Sequence, residues 1–506
     1  MRLYLKNETT GTFYERGASA TGKSTTSYDF AASGLRDGRY RWNVYLVDRF
    51  PAPSATSYNC YFNLDTTAPK TPDIASEDFT EADNDNDSGG SDWSRAVFGQ
   101  SGCITFANPA ADKVTKYVYS WNVGTFDKTV SLSSPGTCTT KTGKVVRGTS
   151  TTAVISTVPP LAGPAMLYVR AFDAAGNQSP TSGTYRVFVS PKDRDATPGD
   201  LTGDDQPDLL TIGKKTEENG ATHYDLRDFP SGVKGDLFLG MNSSYGRATK
   251  NTAYADGCTS TVSWKGALIT HLGDYYPGDG LQDLIARMGD GSFYIYPGDG
   301  FGGFNTCARQ RILLPATGKG PNGTVGVPDP AAFDQILSAD DVTGDDRPDL
   351  FVTAGTQLWV FTGYTGASFS SALLLNDGPA WTDRDLVNVS DITGDGIADM
   401  LYRLRTSGGL ALRQGKANSA GTGVDLLSLA TSGASATGTD ADYATGGWSA
   451  TDIPLLFGTP DVTGNGIPDI WAHMSNGTVR LYAGGRSAVG PYTQVIDQWT
   501  GMQALG

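Results

Sequence analysis

The chain has only three histidines, His223, His271 and His473, and none stands in an H-E-x-x-H arrangement. A zincin-type centre is therefore excluded, and the absence of a G-x-S-x-G elbow removes the usual serine nucleophile. Each histidine is expected on a strand surface. No run of 18 apolar residues occurs, so no helix spans a membrane. Basic residues are also few: 39 Lys and Arg against 54 Asp and Glu leave a net charge of −15. No basic stripe exists to neutralise phosphates, which argues against a nucleic-acid-binding surface. The five cysteines are an odd number. Cys103 with Cys138 and Cys258 with Cys307 are the expected pairs, leaving Cys60 for an absent or intermolecular partner. Five reduced thiols of a cytosolic protein are the alternative.

Two formulas occur without their context. Residues 17–24 (GASATGKS) satisfy the P-loop spelling, but strand and turn composition follows where a phosphate-cradling helix is needed. Residues 298–303 (GDGFGG) match a dinucleotide fingerprint with no amphipathic helix behind them.

What the chain does have is repetition. Asp341-Val342-Thr343-Gly344-Asp345-Asp346-Arg347-Pro348-Asp349 has close copies at 200–208, 391–399 and 461–469, and a looser one at 274–283. Oxygen-bearing side chains fall at the first, third, fifth and ninth places: Asp200, Thr202, Asp204 and Asp208; Asp341, Thr343, Asp345 and Asp349; Asp391, Thr393, Asp395 and Asp399; Asp461, Thr463, Asn465 and Asp469. Calcium takes six to eight oxygen ligands, and alternation through a tight turn aims every second residue at one centre. A glycine after the third position permits the bend. The ninth-position Asp leads into Leu209–Ile212, Leu350–Thr353, Met400–Tyr402 or Ile470–Ala472. These runs read as strands, so each loop joins two strands and is not an EF-hand. An Asp/Gly turn without metal is the alternative for any single copy. The looser copy carries one extra residue, which makes Asp279 and Asp283 firmer candidates than Asp274.

These segments resemble the FG-GAP or VCBS repeats of integrin-α type, over residues 195–506. The resemblance implies a β-propeller with structural calcium, up to about five ions, held by the residues just named. Thr at the third place departs from the Asp or Asn of many members and lowers the charge per site. The loop starts lie about fifty to seventy-four residues apart, a spacing of blades or solenoid units. Five blades are favoured, with seven open if degenerate units lie in 245–265 or in the Gly/Ala/Ser-rich stretch 417–447.

Upstream, residues 1–66 end in a Leu-turn-Tyr-x-Trp pattern (35–42) that resembles Ig-like and fibronectin type III sandwiches with a corner tyrosine. This module is expected to be incomplete at its start, with a signal segment upstream. Residues 67–191 resemble a bacterial Ig-like domain. The run 83–87 (DNDND) is either a further calcium loop or a solvated turn. The expected fold class is thus all-β: two sandwiches, then the propeller.

The strict repetition of the carboxylates suits metal cages better than a glycosidase pair, which need occur only once. The expected role is therefore not enzymatic. It is an extracellular or cell-surface, calcium-stabilised module that binds a surface glycan or an extracellular protein. Trp359, Tyr364, Trp381, Trp448 and Trp471 are candidates for stacking on sugars, or else core residues. A docking subunit of a larger secreted assembly is the alternative reading; a polysaccharide-active enzyme is the third.

Overall fold

The computed structural model describes residues 1–17, 34–47, 53–56, 58–82, 93–121, 126–160, 162–180, 182–190, 198–216, 220, 222–232, 241–242, 244–245, 262–275 and 280–506. The fold is all-β, with short 3-10 turns as the only helical elements among these residues. Two compact units emerge: residues 1–76, 103–156 and 167–185 form one, and residues 77–102, 157–166 and 186–506 the other. Parts of the span read as a second module thus belong to the C-terminal unit.

In the first unit, a four-stranded antiparallel sheet runs in the order Phe13–Gly17, Arg2–Asn7, Gly38–Tyr45, Cys60–Leu64. Leu3, Leu5, Asn7 and Tyr40 are its buried residues, and the Tyr40 hydroxyl donates to the Arg36 carbonyl at 2.7 Å, tying turn to strand as the sequence suggests. Further along, Phe106 packs against Tyr117 and Tyr119, with ring centroids 5.6 and 5.5 Å away. The expected Cys103–Cys138 disulfide is present, Cα atoms 5.7 Å apart, and Cys60 is free and exposed. Cys307 is disulfide-bonded, while Cys258, its expected partner, lies outside the described residues. So do residues 83–87 and all but Gly17 of the P-loop-like formula.

Among the described residues the second unit contains five antiparallel-cored sheets, numbered here I to V, and a two-stranded parallel pair of Ser244–Tyr245 with Phe304–Asn305. Sheet I has the order Met241–Asn242, Thr222–Phe229, Leu209–Thr216, Met502–Leu505. Sheet II runs Leu268–Thr270, Leu284–Arg287, Phe293–Tyr296, Gln310–Arg311. Sheet III is built on Gln335–Ser338, Leu350–Ala354, Gln357–Tyr364 and Phe369–Asp377, extended by the hairpin Thr317–Gly320 and Gly323–Gly326. Sheet IV runs Arg384–Ser390, Asp399–Leu404, Gly409–Arg413, Ala441–Ala444, and sheet V Leu455–Thr459, Asp469–His473, Val479–Tyr482, Tyr492–Ile496. In sheets II to V the Asp-rich loop joins the first strand to the second. Sheet I departs from this rule: its first strand comes from the end of the chain, with Thr211 opposite Leu505 and Ile212 opposite Ala504.

The first strands are mutual neighbours. Met502–Leu505 lies beside Leu268–Thr270, which lies beside Gln335–Ser338, then Arg384–Ser390, then Leu455–Thr459, which adjoins Met502–Leu505 again. Gly458 marks how close they come, because a Cβ there would stand 2.2 Å from the Val387 carbonyl oxygen. Strands such as Leu350–Ala354 and Asp469–His473 are buried at every position. Both faces are covered, which is why they read as continuous apolar runs and not as alternation.

Residues 417–447 do not form a sixth sheet. They hold the 3-10 turns Leu426–Leu429 and Ser432–Ala434 and the fourth strand of sheet IV, anchored by the Arg413–Asp440 ion pair at 2.7 Å.

Candidate metal centres

Each Asp-rich loop is a turn wound around its own first carboxylate. In the third-sheet loop, Asp341 Oδ1 accepts from Gly344 N (2.7 Å) and Asp345 N (3.0 Å), and Oδ2 accepts from Asp346 N (2.7 Å). Asp391 repeats this with Gly394, Asp395 and Gly396, and Asp461 with Gly464, Asn465 and Gly466. Asp200 does the same with Gly203, Asp204 and Asp205. The fourth residue has positive φ in the four close copies: 72° at Gly203, 75° at Gly344, 76° at Gly394 and 75° at Gly464. The sixth is left-handed as well, as Asp205 (66°), Asp346 (62°), Gly396 (86°) and Gly466 (79°), which explains why only Asp and Gly occur there.

The ninth-position Asp is the bolt between loop and sheet. Asp469 Oδ2 accepts from Val462 N (2.9 Å) and Thr463 N (2.8 Å), while Oδ1 accepts from Gly484 N (2.7 Å) just beyond the third strand. Asp208 reaches Ser231, Asp283 reaches Gly298 and Asp399 reaches Gly415 in the same way. In sheet III this last bond is missing and Asp349 Oδ1 has no partner. In the second loop Gly280 N donates to Asp274 Oδ2 at 3.0 Å, which gives Asp274 the first-position role. Asp279 lies outside the described residues.

The loops also meet the following sheet. Gly302 N donates to the Leu201 carbonyl (2.7 Å), Val424 N to Val342 (2.8 Å), Asn418 Nδ2 to Thr343 (3.0 Å) and an Arg486 guanidinium N–H to Thr393 (2.8 Å). Each of these loops therefore lies at a seam between two sheets.

Among the described residues, no group of three or more His, Cys, Asp or Glu side chains is already gathered to hold a metal. The first and ninth carboxylates are occupied by the loop's own N–H groups. The donor set nonetheless fits a hard cation. The third-position hydroxyls of Thr202, Thr343 and Thr393 are buried and make no hydrogen bond of standard geometry; those of Thr343 and Thr393 face Asp349 and Asp399 closely enough to pull their pKa down, and that of Thr202 is orphaned outright. Burial pushes Asp349 up to about 8, against the pull of the Thr343 hydroxyl and N–H. Burial with the neighbouring Asp200 raises Asp204 to about 8, and burial raises Asp200 to about 6. Asp399 and Asp469 are raised by burial too. Carboxylates grouped away from water with no cationic partner are costly unless a proton or a cation joins them.

Sequence reasoning missed Asp228, which is fully buried on the second sheet-I strand from the loop, with neither carboxylate oxygen hydrogen-bonded. Its signal was readable: it stands two residues from the buried Leu226, on the same face of the strand.

The five aromatic candidates are placed otherwise than a sugar platform requires. Trp359 and Trp471 are fully buried, and Trp381, Trp448 and Tyr364 are 2, 4 and 5 % exposed. Large rings fill the space between closely packed sheets; of the five, Trp381 borders the recess beside the first strands while staying almost wholly covered. Two histidine placements also need correcting: His271 and His473 are buried, and only His223 is exposed. Burial lowers His271 to about 4. One recess, a cavity of about 490 Å³, lies beside the first strands, lined by Gln335, Asp385, Arg405, Leu455 and Gln503 among others. Asp385 there is held between Arg403, through its Nε at 2.8 Å, and Arg405 at 3.3 Å.

No protein-family model matches the chain, and no characterised protein matches it in sequence. Among solved structures it is similar to the Photorhabdus luminescens Tc holotoxin pore (14% identity, TM-score 0.28), covering 92% of this chain and 16% of that one. It is also similar to the BP39L lectin from Burkholderia pseudomallei (12% identity, TM-score 0.26, 76% and 99% covered) and to TcdB2-TccC3 (12%, 0.25, 88% and 24%). The chain thus spans under a fifth of the length of the first of these. At such TM-scores the likeness does not define a shared fold.

Proposed function

We propose that the second unit is a five-bladed β-propeller braced by calcium, and that it serves extracellular recognition of a glycan or protein surface and not catalysis. Support for the ring comes from five sheets whose first strands neighbour one another in a cycle, and from a last strand that completes the first sheet. The sheets of the first unit are read as sandwich spacers. The observation that carries the calcium reading is the third-position threonine oxygen, buried without a hydrogen bond of standard geometry in three loops that share a single hydrogen-bond frame. Each ion would be held by the first, third, fifth and ninth side chains and would fasten two sheets at their seam.

The mixed cavity beside the first strands, with polar and charged groups among apolar walls, is the recess such a ring presents to a ligand. Binding to an array of glycans and bacterial cell-wall polymers, with calcium and with chelator, tests the recognition role. Calcium-dependent binding to a defined polymer is the expected result, and no binding to any would remove the glycan version. A docking role in a larger secreted assembly is the second reading, favoured by Cys60, free and exposed on the edge strand Cys60–Leu64.

A further inference from the structure

Strand register makes the position of Asp228 comparable in all five sheets. It pairs with Leu210, two residues after the ninth-position Asp208. The corresponding pairs are Ile285 with Ile295, Phe351 with Val360, Leu401 with Leu412 and Trp471 with Leu481. Four of the five sheets therefore put an aliphatic side chain where sheet I puts a carboxylate. Those four are what packing asks for at a fully buried place. An aspartate there, neither oxygen in a hydrogen bond of standard geometry and only the adjacent Phe229 N–H to offset its burial, is strongly disfavoured unless a cation or proton joins it.

Register also gives the direction. Side chains alternate along a strand, so Asp228, Leu210 and Asp208 share one face of sheet I. That face packs on sheet II, since Leu201, Leu210 and Leu226 belong to one core with Leu284, Tyr296 and Phe304. Asp299, in the turn beyond the third strand of sheet II, lies within electrostatic reach of Asp228, its Oδ1 accepting from Phe301 N (2.8 Å) and Gly303 N (3.0 Å). A cavity of about 10 Å³, the size of one water or ion, lies at this seam, lined by Asp200, Gly203, Gln282, Gly298, Asp299 and Gly303 among others.

Resting on the calcium reading of the loops, we propose that the first loop is a cation site of a different kind from the other four: Asp228 is an added carboxylate ligand, and Asp299 a further acidic neighbour. This site then carries more negative charge than any other loop. It binds a divalent, oxygen-seeking cation most tightly and empties last.

The test is calorimetric titration of calcium into chelator-stripped full-length protein, comparing the natural chain with Asp228→Asn and Asp228→Leu. Leucine is what sheets IV and V carry at this position, so that variant keeps its packing, which circular dichroism verifies. The expected result is that the tightest calcium affinity falls at least tenfold in both variants while the weaker sites keep theirs. An unchanged tightest affinity in the folded Leu variant would overturn the inference and leave the loop reading standing. A natural chain that binds no calcium at all would overturn both.

Discussion

The Gly280 N–H donates to Asp274 Oδ2 at 3.0 Å, as the Gly396 N–H donates to Asp391 Oδ2 at 2.9 Å. Gly280 thus takes the place in the second loop that Gly396 holds in the fourth. Asp274→Asn leaves one oxygen to receive the Gly280 N–H and removes a charge. Folding is expected to persist in calcium-free buffer, with one calcium equivalent lost by calorimetry; unchanged stoichiometry would remove Asp274 from the ligand set.

Asp469 holds three backbone N–H groups, those of Val462, Thr463 and Gly484. Its replacement by Ala leaves three buried donors without an acceptor, each costing ~1–3 kcal/mol. A loss of about 3 kcal/mol or more is expected in urea denaturation with chelator present. A change below about 1 kcal/mol would show that these bonds do not brace the sheet.

Thr202 is fully buried and its hydroxyl has no partner. Thr202→Val therefore removes no hydrogen bond. Stability without calcium is expected to hold or rise, by up to about 1 kcal/mol, because a desolvated hydroxyl is gone. Stability in calcium falls, because a ligand oxygen is gone with it. Equal effects in both buffers would deny the hydroxyl a ligand role.

His271 is sealed against Phe457, ring centroids 5.9 Å apart, near the backbone of Gly199 and Gly506, and its ring nitrogens have no hydrogen-bond partner. Its folded pKa of about 4 lies below the ordinary 6.5, so the unfolded chain takes up the proton first. This contribution is complete above about pH 6.5 and is lost as pH falls towards 4, a difference of ~3 kcal/mol. Comparing the natural chain with His271→Leu between pH 7 and 4, in excess calcium, isolates this slope from that of the carboxylates. Parallel curves would contradict it.

How much of this was written in the chain differs by element. The loops were readable because glycines with positive φ and alternating oxygens are local requirements, met within nine residues. The strands after them were readable because both faces are buried and the apolar run is unbroken. The strand Met502–Leu505 was not, since nothing local marks it as the first strand of a sheet whose other members lie nearly three hundred residues upstream. Trp359 and Trp471 misled for a related reason: a large ring suits a sugar platform or a crowded seam equally, and only burial separates the two. Asp228 needed register as well as alternation, because its meaning lies in the aliphatic residues at the same place in the other four sheets.

The central claim is that divalent cations hold the seams of the second unit, and thermal unfolding in excess calcium against excess EGTA measures it most directly. Each site occupied at one hundred times its Kd adds about 2.7 kcal/mol, so a marked fall in Tm on chelation, restored by calcium and by magnesium far less, is the expected result. Superimposable melting curves in the two buffers would contradict it.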